Sequence, residues 1–143
     1  MTCGDESKMW LVNCTFYSNE APAGRAVACT SSYPDPSVAH IANSIFRNGG
    51  GELWTDGRSQ IHARYSDVQG GWEGPGNIDV DPRFADADGG DYHLRSRAGR
   101  WDPNPQSWVW DEETSACIDA GDPATPIMYL SLIHISEPTR LRR

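Results

Sequence analysis

A chain of 143 residues can bury one core of ordinary size. Its 14 Gly and 10 Pro, with few long apolar runs, argue against a helical bundle and for a turn-rich β protein. The formal charge of -8, from 12 basic and 20 acidic residues, disfavours nucleic acid as a partner, because a phosphate backbone would be repelled. No apolar run has the length of a membrane span, and Met1 leads straight into the polar residues 2–8 without a secretory-signal pattern.

Three segments of the first half superpose. Val12-Asn13-Cys14-Thr15-Phe16-Tyr17-Ser18-Asn19 matches Ala42-Asn43-Ser44-Ile45-Phe46-Arg47-Asn48, and both match Arg64-Tyr65-Ser66-Asp67-Val68-Gln69-Gly70-Gly71. Each copy places a small residue (Cys14, Ser44, Ser66) two before a large apolar one (Phe16, Phe46, Val68), then breaks at Asn or Gly. A period-2 reading puts those two residues on one face of a short strand, so stacking would align Phe16, Phe46 and Val68 as an inward column. Asn13 to Asn43 spans 30 residues and Asn43 to Tyr65 spans 22, intervals that signal a solenoid with one supersecondary unit per repeat. Residues 26–29 and 52–54 fit the other strands of each coil. The run Ser31-Ser32-Tyr33-Pro34-Asp35-Pro36 in the longer interval reads as a turn-forming loop at one corner.

The second half changes character. Residues 65–94 carry short β-type runs with Gly and Asp at every break, the expected point where stacked strands stop and a closing segment begins. Its acidic cluster contains Asp79, Asp81, Asp86, Asp88 and Asp91. Asp86, Asp88 and Asp91 are the candidate calcium ligands, since alternating carboxylates followed by Gly can wrap a hard cation. The spacing departs from the EF-hand pattern, and turn capping by Asp side chains is the alternative reading. Further on, Trp101, Trp108 and Trp110 flank a Pro-Asn-Pro loop, with Trp108 and Trp110 on one face if that piece is extended. They are the candidate glycan contacts through ring stacking, or else a cover for the open end of a core.

Catalysis of polysaccharide cleavage requires carboxylates converging in one groove. The repeats offer only Asp67, expected to face outward, with Arg47 and Arg64 near it, and no paired carboxylates recur at coil spacing. His40 and His62, each just before a repeat, read as surface or stacking residues rather than bases. No catalytic and no cofactor-binding residue is therefore assigned. Cys3, Cys14, Cys29 and Cys117 form no zinc-type spacing. Cys14 is expected to be a buried thiol, with Cys29 placed to pair with it across adjacent coils.

The motifs occur in a recognisable order. Asn13-Cys14-Thr15-Phe16, Asn43-Ser44-Ile45-Phe46, Gly76-Asn77-Ile78-Asp79-Val80-Asp81-Pro82, Gly90-Asp91-Tyr92-His93-Leu94 and Cys117-Ile118-Asp119-Ala120-Gly121-Asp122-Pro123 resemble the right-handed parallel β-helix repeat proteins. These are pectin-lyase-like in fold and include bacterial surface proteins with a C-terminal choice-of-anchor region. The likeness covers roughly residues 11–126 and implies an all-β, right-handed parallel β-helix fragment with an irregular closing segment. The expected division is residues 1–70 as about three coils, truncated at the N-terminus, and residues 71–129 as the closing segment.

Residues 130–140 back-translate into a sequence resembling the transposase mosaic end and primer site of tagmentation libraries. Residues 130–143, with His134, are accordingly expected to be adaptor-derived, and the reading frame to be a fragment. Without them, 9 basic residues stand against 19 acidic ones. By analogy with the resembled fold, the expected function is non-catalytic: a secreted or cell-surface protein contacting extracellular polysaccharide or cell-surface glycan. The competing readings are a polysaccharide lyase or hydrolase whose active-site coils lie upstream, and a purely structural stalk.

Overall fold

The computed structural model describes residues 1–32 and 34–125, and these contain strands and turns but no helix. The expected adaptor-derived stretch, with His134 and the end of the closing segment, lies outside the described residues. No helix among the described residues is long and apolar enough to cross a membrane.

The first nine strands form three parallel sheets. They are β1 (Thr2–Gly4), β2 (Lys8–Val12), β3 (Thr15–Tyr17), β4 (Val27–Thr30), β5 (Val38–Ala42), β6 (Ile45–Arg47), β7 (Leu53–Thr55), β8 (Gln60–Arg64) and β9 (Asp67–Val68). Each strand pairs with the one three places further on, giving sheets β1-β4-β7, β2-β5-β8 and β3-β6-β9. Three consecutive strands thus make one rung, and three rungs lie in register. Phe16 pairs with Phe46 and Phe46 with Val68, the column expected from the repeats.

Side-chain alternation explains why these short segments are strands. In β8, Ile61 and Ala63 are buried while Gln60, His62 and Arg64 are exposed. The matching positions Met9, Ala39 and Ile61, and Leu11, Ile41 and Ala63, make two further inward columns. The Phe16 and Phe46 rings stack with centroids 5.1 Å apart. Each large aliphatic or aromatic side chain buried this way contributes about 1.5–3 kcal/mol.

The corner between the second and third strand of each rung is built identically. Asn13, Asn43 and Tyr65 all take positive φ, at 57°, 52° and 48°. Asn tolerates this left-handed conformation well, Tyr less so. The next residue ties the rungs together: Cys14 N donates to Ser44 Oγ at 3.1 Å, Ser44 N to Ser66 Oγ at 3.2 Å, and Ser66 N to Asn77 Oδ1 at 3.0 Å. The hydroxyls of Ser44 and Ser66 in turn donate to the carbonyls of Ala42 and Arg64. The unequal intervals of 30 and 22 residues are absorbed mainly by loops, residues 18–26 and 31–37 standing where 48–52 and 56–59 stand in the next interval, so the register survives the insertion.

Main-chain pairing does not stop at residue 70. Ile78 bridges Asp67 in parallel, with Val68 N donating to Ile78 O and Ile78 N to Ser66 O, both at 2.9 Å. The remaining strands are two antiparallel pairs: β10 (Phe84–Asp86) with β11 (Asp91–Leu94), and β12 (Arg100–Asp102) with β13 (Ser107–Val109). Phe84 sits edge-on to Tyr17 and Tyr92, docking the first pair on the third sheet. The last described segment returns to the corners, where Asp122 N donates to Asn43 Oδ1 at 2.8 Å.

The expected pairing of Cys29 with Cys14 is corrected. Cys29 lies in register with Cys3 across β1 and β4, whereas Cys14 sits at a corner with its thiol 3.4 Å from Val12 O. All four cysteines are free thiols. Cys14 is half-buried rather than buried, because it belongs to the first rung.

Candidate functional site

The in-register rungs bring together residues that are remote in sequence. On the outer face of β2-β5-β8, Trp10, His40 and His62 stand one above another. Their rings stack with centroid separations of 5.5 Å and 5.4 Å and interplanar angles near 20° (19° and 21°). The stacking covers both faces of His40, and Trp10 remains 63% exposed at the first-rung end. His40 and His62 thus have the stacking role expected of them. Trp10 was not singled out, although it stands three residues before Asn13 as His40 does before Asn43 and His62 before Tyr65. That shared offset was the available signal.

The second aromatic feature is the hairpin of β12 and β13. Its register sets Trp101 directly opposite Trp108, and both stay nearly half exposed, at 44% and 45%. Trp110, just beyond the strand, is 70% exposed. The opposite face carries Arg100 beside Val109. Arg100 Nε donates to Asp111 Oδ2 at 3.0 Å, and its Nη1 lies 3.6 Å from Asp91 and 3.7 Å from Asp102. The hairpin is therefore pinned by charge on its inner face and presents indole rings on its outer one. Five of the chain's six tryptophans, including Trp10 and Trp54, are exposed.

Two of the three candidate calcium ligands, Asp86 and Asp91, are engaged in a turn and in ion pairs. Asp86 Oδ1 accepts the Gly89 amide at 3.1 Å. Asp91 Oδ1 accepts from His93 N at 3.1 Å and lies 2.5 Å from His93 Nδ1. Burial pushes the Asp91 carboxyl up, but the His93 hydrogen bonds and the Arg100 charge hold it below its ordinary value. Asp88 is exposed. Among the described residues no group of three or more His, Cys, Asp or Glu side chains is arranged to hold a metal ion. These bonds are those of turn capping, the alternative that the sequence left open.

Asp67 corrects another expectation. It faces away from the Val68 column but is buried there rather than exposed, its side chain 1% exposed, and its two oxygens accept from Arg47 Nη2 at 2.7 Å and Nε at 3.0 Å. Val80 N adds a third bond at 3.0 Å. Both residues of the short strand β9 are buried: Val68 by the core, Asp67 on the outer face by Val80 and Cys117 of the closing segment. Burial raises its carboxyl above the ordinary value, against the lowering pull of Val80 N–H and Arg47. Arg64, expected beside it, pairs with Asp122 at 3.4 Å instead.

Beside this pair an open groove of about 790 Å³ runs between the third sheet and the closing segment. Tyr17, Asn48, Gln69, Arg83, Arg95 and Glu113 line it, with Arg83 and Glu113 ion-paired. The arrangement offers exposed aromatic rings and a polar groove for contact. Its only imidazole–carboxylate pair in hydrogen-bond range among the described residues is His93 with Asp91.

Neither a curated protein nor a solved structure matches the chain significantly. Residues 10–121 match the family model described as disaggregatase related, a span that starts at Trp10 and ends just before Asp122. Since that span covers most of the 143 residues, the chain belongs to the disaggregatase-related family.

Proposed function

We propose that the chain is a glycan-contacting, non-catalytic segment of a secreted or cell-surface protein, and that its three rungs are coils of a right-handed parallel β-helix of the pectin-lyase-like kind. Support for the coil reading comes from the uniform pairing of each strand with the third strand after it. Right-handedness follows from the strong preference of parallel crossover connections. The observation that carries the contact function is the Trp101–Trp108 pair, held side by side across β12 and β13 and left open to solvent.

Exposed tryptophan is costly to leave in water, and rigid indole faces stack well on the apolar faces of sugar rings. Trp110 extends the same surface. The inner-face pairing of Arg100 with Asp91 and Asp111 prepays the ordering of the hairpin, which lowers the entropic cost of binding. A family named for a disaggregatase is in keeping with contact to aggregated material.

The test is retention of the full chain on a panel of insoluble polysaccharides: cellulose, chitin and cross-linked pectin. Retention is expected on at least one, falling about threefold to tenfold for each of Trp101→Ala and Trp108→Ala. Far-UV spectra should be unchanged, and the loss in stability should stay small, since such a cross-strand pair contributes about 0.2–1 kcal/mol. Absence of retention on every matrix, or retention indifferent to both substitutions, would sink the reading.

A further inference from the structure

The corners of the three rungs differ in what covers them. At the second rung, Asn43 Oδ1 accepts the Asp122 amide at 2.8 Å and Nδ2 donates to Thr125 Oγ1 at 3.1 Å, so the returning segment pins this side chain. On the outer face of the third sheet, Asp67 is buried, Ile45 one rung before is half-buried, and Thr15, in the same register, is exposed. The closing segment therefore covers the third rung and part of the second on this face. Asn13 stands at the corner position of Asn43 with the same positive φ, and it is exposed. It lines an open cavity of about 280 Å³ with Ile45, Ala120 and Gly121, which leaves room beside its carboxamide. The main chain holds this turn without help from the side chain, since Asn13 N donates to Ala42 O at 3.2 Å.

Asn13 is also the one asparagine of the six in the chain that is followed two places on by a hydroxyl residue, Thr15. The same position after Asn43 is Ile45, and after Asn77 it is Asp79. Asn-Cys-Thr is an acceptor pattern for N-linked glycosylation, which belongs on the surface of an exported chain. We propose that Asn13 carries an N-linked glycan, an inference that rests on the secreted or cell-surface reading above. In the transfer, Asn13 Nδ2 bonds to C1 of an oligosaccharide carried on a polyprenyl pyrophosphate. The C1–O bond breaks, and the lipid pyrophosphate leaves with its electron pair and takes up the amide proton. The folded corner accommodates the product, because the Asn13 carboxamide has no hydrogen bond to give up among the described residues. A glycan on Asn43 would instead displace the contacts to Asp122 and Thr125.

The test is to produce the full chain behind a cleavable secretory leader in a eukaryotic cell line that N-glycosylates its exported proteins, and to map the exported protein by mass spectrometry. One glycan is expected on the peptide containing Asn13, removed by a peptide N-glycosidase that leaves aspartate in its place. Asn13→Gln and Thr15→Val should each abolish it, whereas Thr15→Ser should retain it. Far-UV spectra of the glycosylated protein and of Thr15→Val should coincide, because the glycan displaces no contact of the fold. An exported chain without a glycan overturns the proposal. So does a glycan that survives in Thr15→Val, or a glycosylated chain that has lost its strand spectrum. Retention on polysaccharide through Trp101 and Trp108 does not involve Asn13. Retention of an unmodified chain therefore sinks only this inference, and a glycosylated chain that no matrix retains sinks only the contact reading.

Discussion

Ser44 and Ser66 form one step of a side-chain ladder that runs beside the main-chain one: Ser44 N donates to Ser66 Oγ at 3.2 Å, and both residues are buried. Ser44 Oγ meanwhile accepts the Cys14 amide at 3.1 Å. Each hydroxyl satisfies an amide that the turn leaves without a strand partner. Ser44→Ala would strand the Cys14 N–H and is expected to cost about 1–3 kcal/mol in urea unfolding. Ser44→Cys should cost less, since Cys14 fills the equivalent corner of the first rung. Equal losses for the two would contradict the ladder's energetic role.

Arg47 neutralises a carboxylate that burial alone would disfavour. Replacing Arg47 with Met leaves Asp67 charged and enclosed, which is expected to cost about 3–5 kcal/mol at neutral pH. The pH dependence has a definite sign. A carboxyl whose folded pKa lies above its unfolded one takes up protons on folding, so stability falls as pH rises through that interval. The Arg47→Met variant should therefore recover part of its loss on acidification from neutrality toward 3.8, the ordinary Asp value. Denaturant midpoints across that range decide the matter; a loss that grows on acidification would refute it.

Asp56 works in the opposite direction. Its carboxylate accepts the amides of Ser59 at 2.8 Å, Ser31 at 2.8 Å and Arg58 at 3.0 Å, which lowers its pKa from 3.8 to about 2. The stabilisation is fully present above the unfolded value and disappears as pH falls through the folded one. Wild type should thus lose stability between pH 3.8 and about 2 by a component that Asp56→Asn lacks. Thermal midpoints of the two proteins, followed down the acid limb, should converge.

Cys29 and Cys117 are predicted to be inert while folded. Burial, with Cys3 as neighbour, pushes the Cys29 thiol up to about 11, and burial beside Asp67 pushes Cys117 up to about 11 as well. Few thiolates exist at mildly alkaline pH under those conditions, and the thiolate is the nucleophile. A colourless disulfide reagent should label Cys29 and Cys117 only after denaturant is added. Rapid labelling of either in the native chain would contradict their placement.

The parallel strand stack was legible because its corners impose residue types: Asn where φ is positive, a small hydrogen-bonding residue next, then a large apolar one two places on. Tyr65 breaks the first rule yet holds the same conformation, and it was recognised by its neighbours rather than by itself. The burial of Asp67 could not be read, because it depends on Arg47 from the rung before and Val80 from the segment that covers its face. The role of Asp86 and Asp91 stayed ambiguous because capping a turn and ligating a cation use the same side chain. The Trp101–Trp108 pairing needs the hairpin register, and the tip places Gln106 at φ 51°, a conformation no turn signal announces there.

The corner ladder also bears on how such a chain lengthens over generations. A copied rung brings both halves of every corner contact, an acceptor for the amide before it and a donor amide for the hydroxyl after it. Tandem duplication of one rung therefore inserts without orphaning any polar group, whereas a duplication ending mid-rung breaks two contacts at once. Loop residues such as 31–37 lie outside this accounting. Growth by whole units and drift within loops are thus the two changes this scaffold absorbs at least cost.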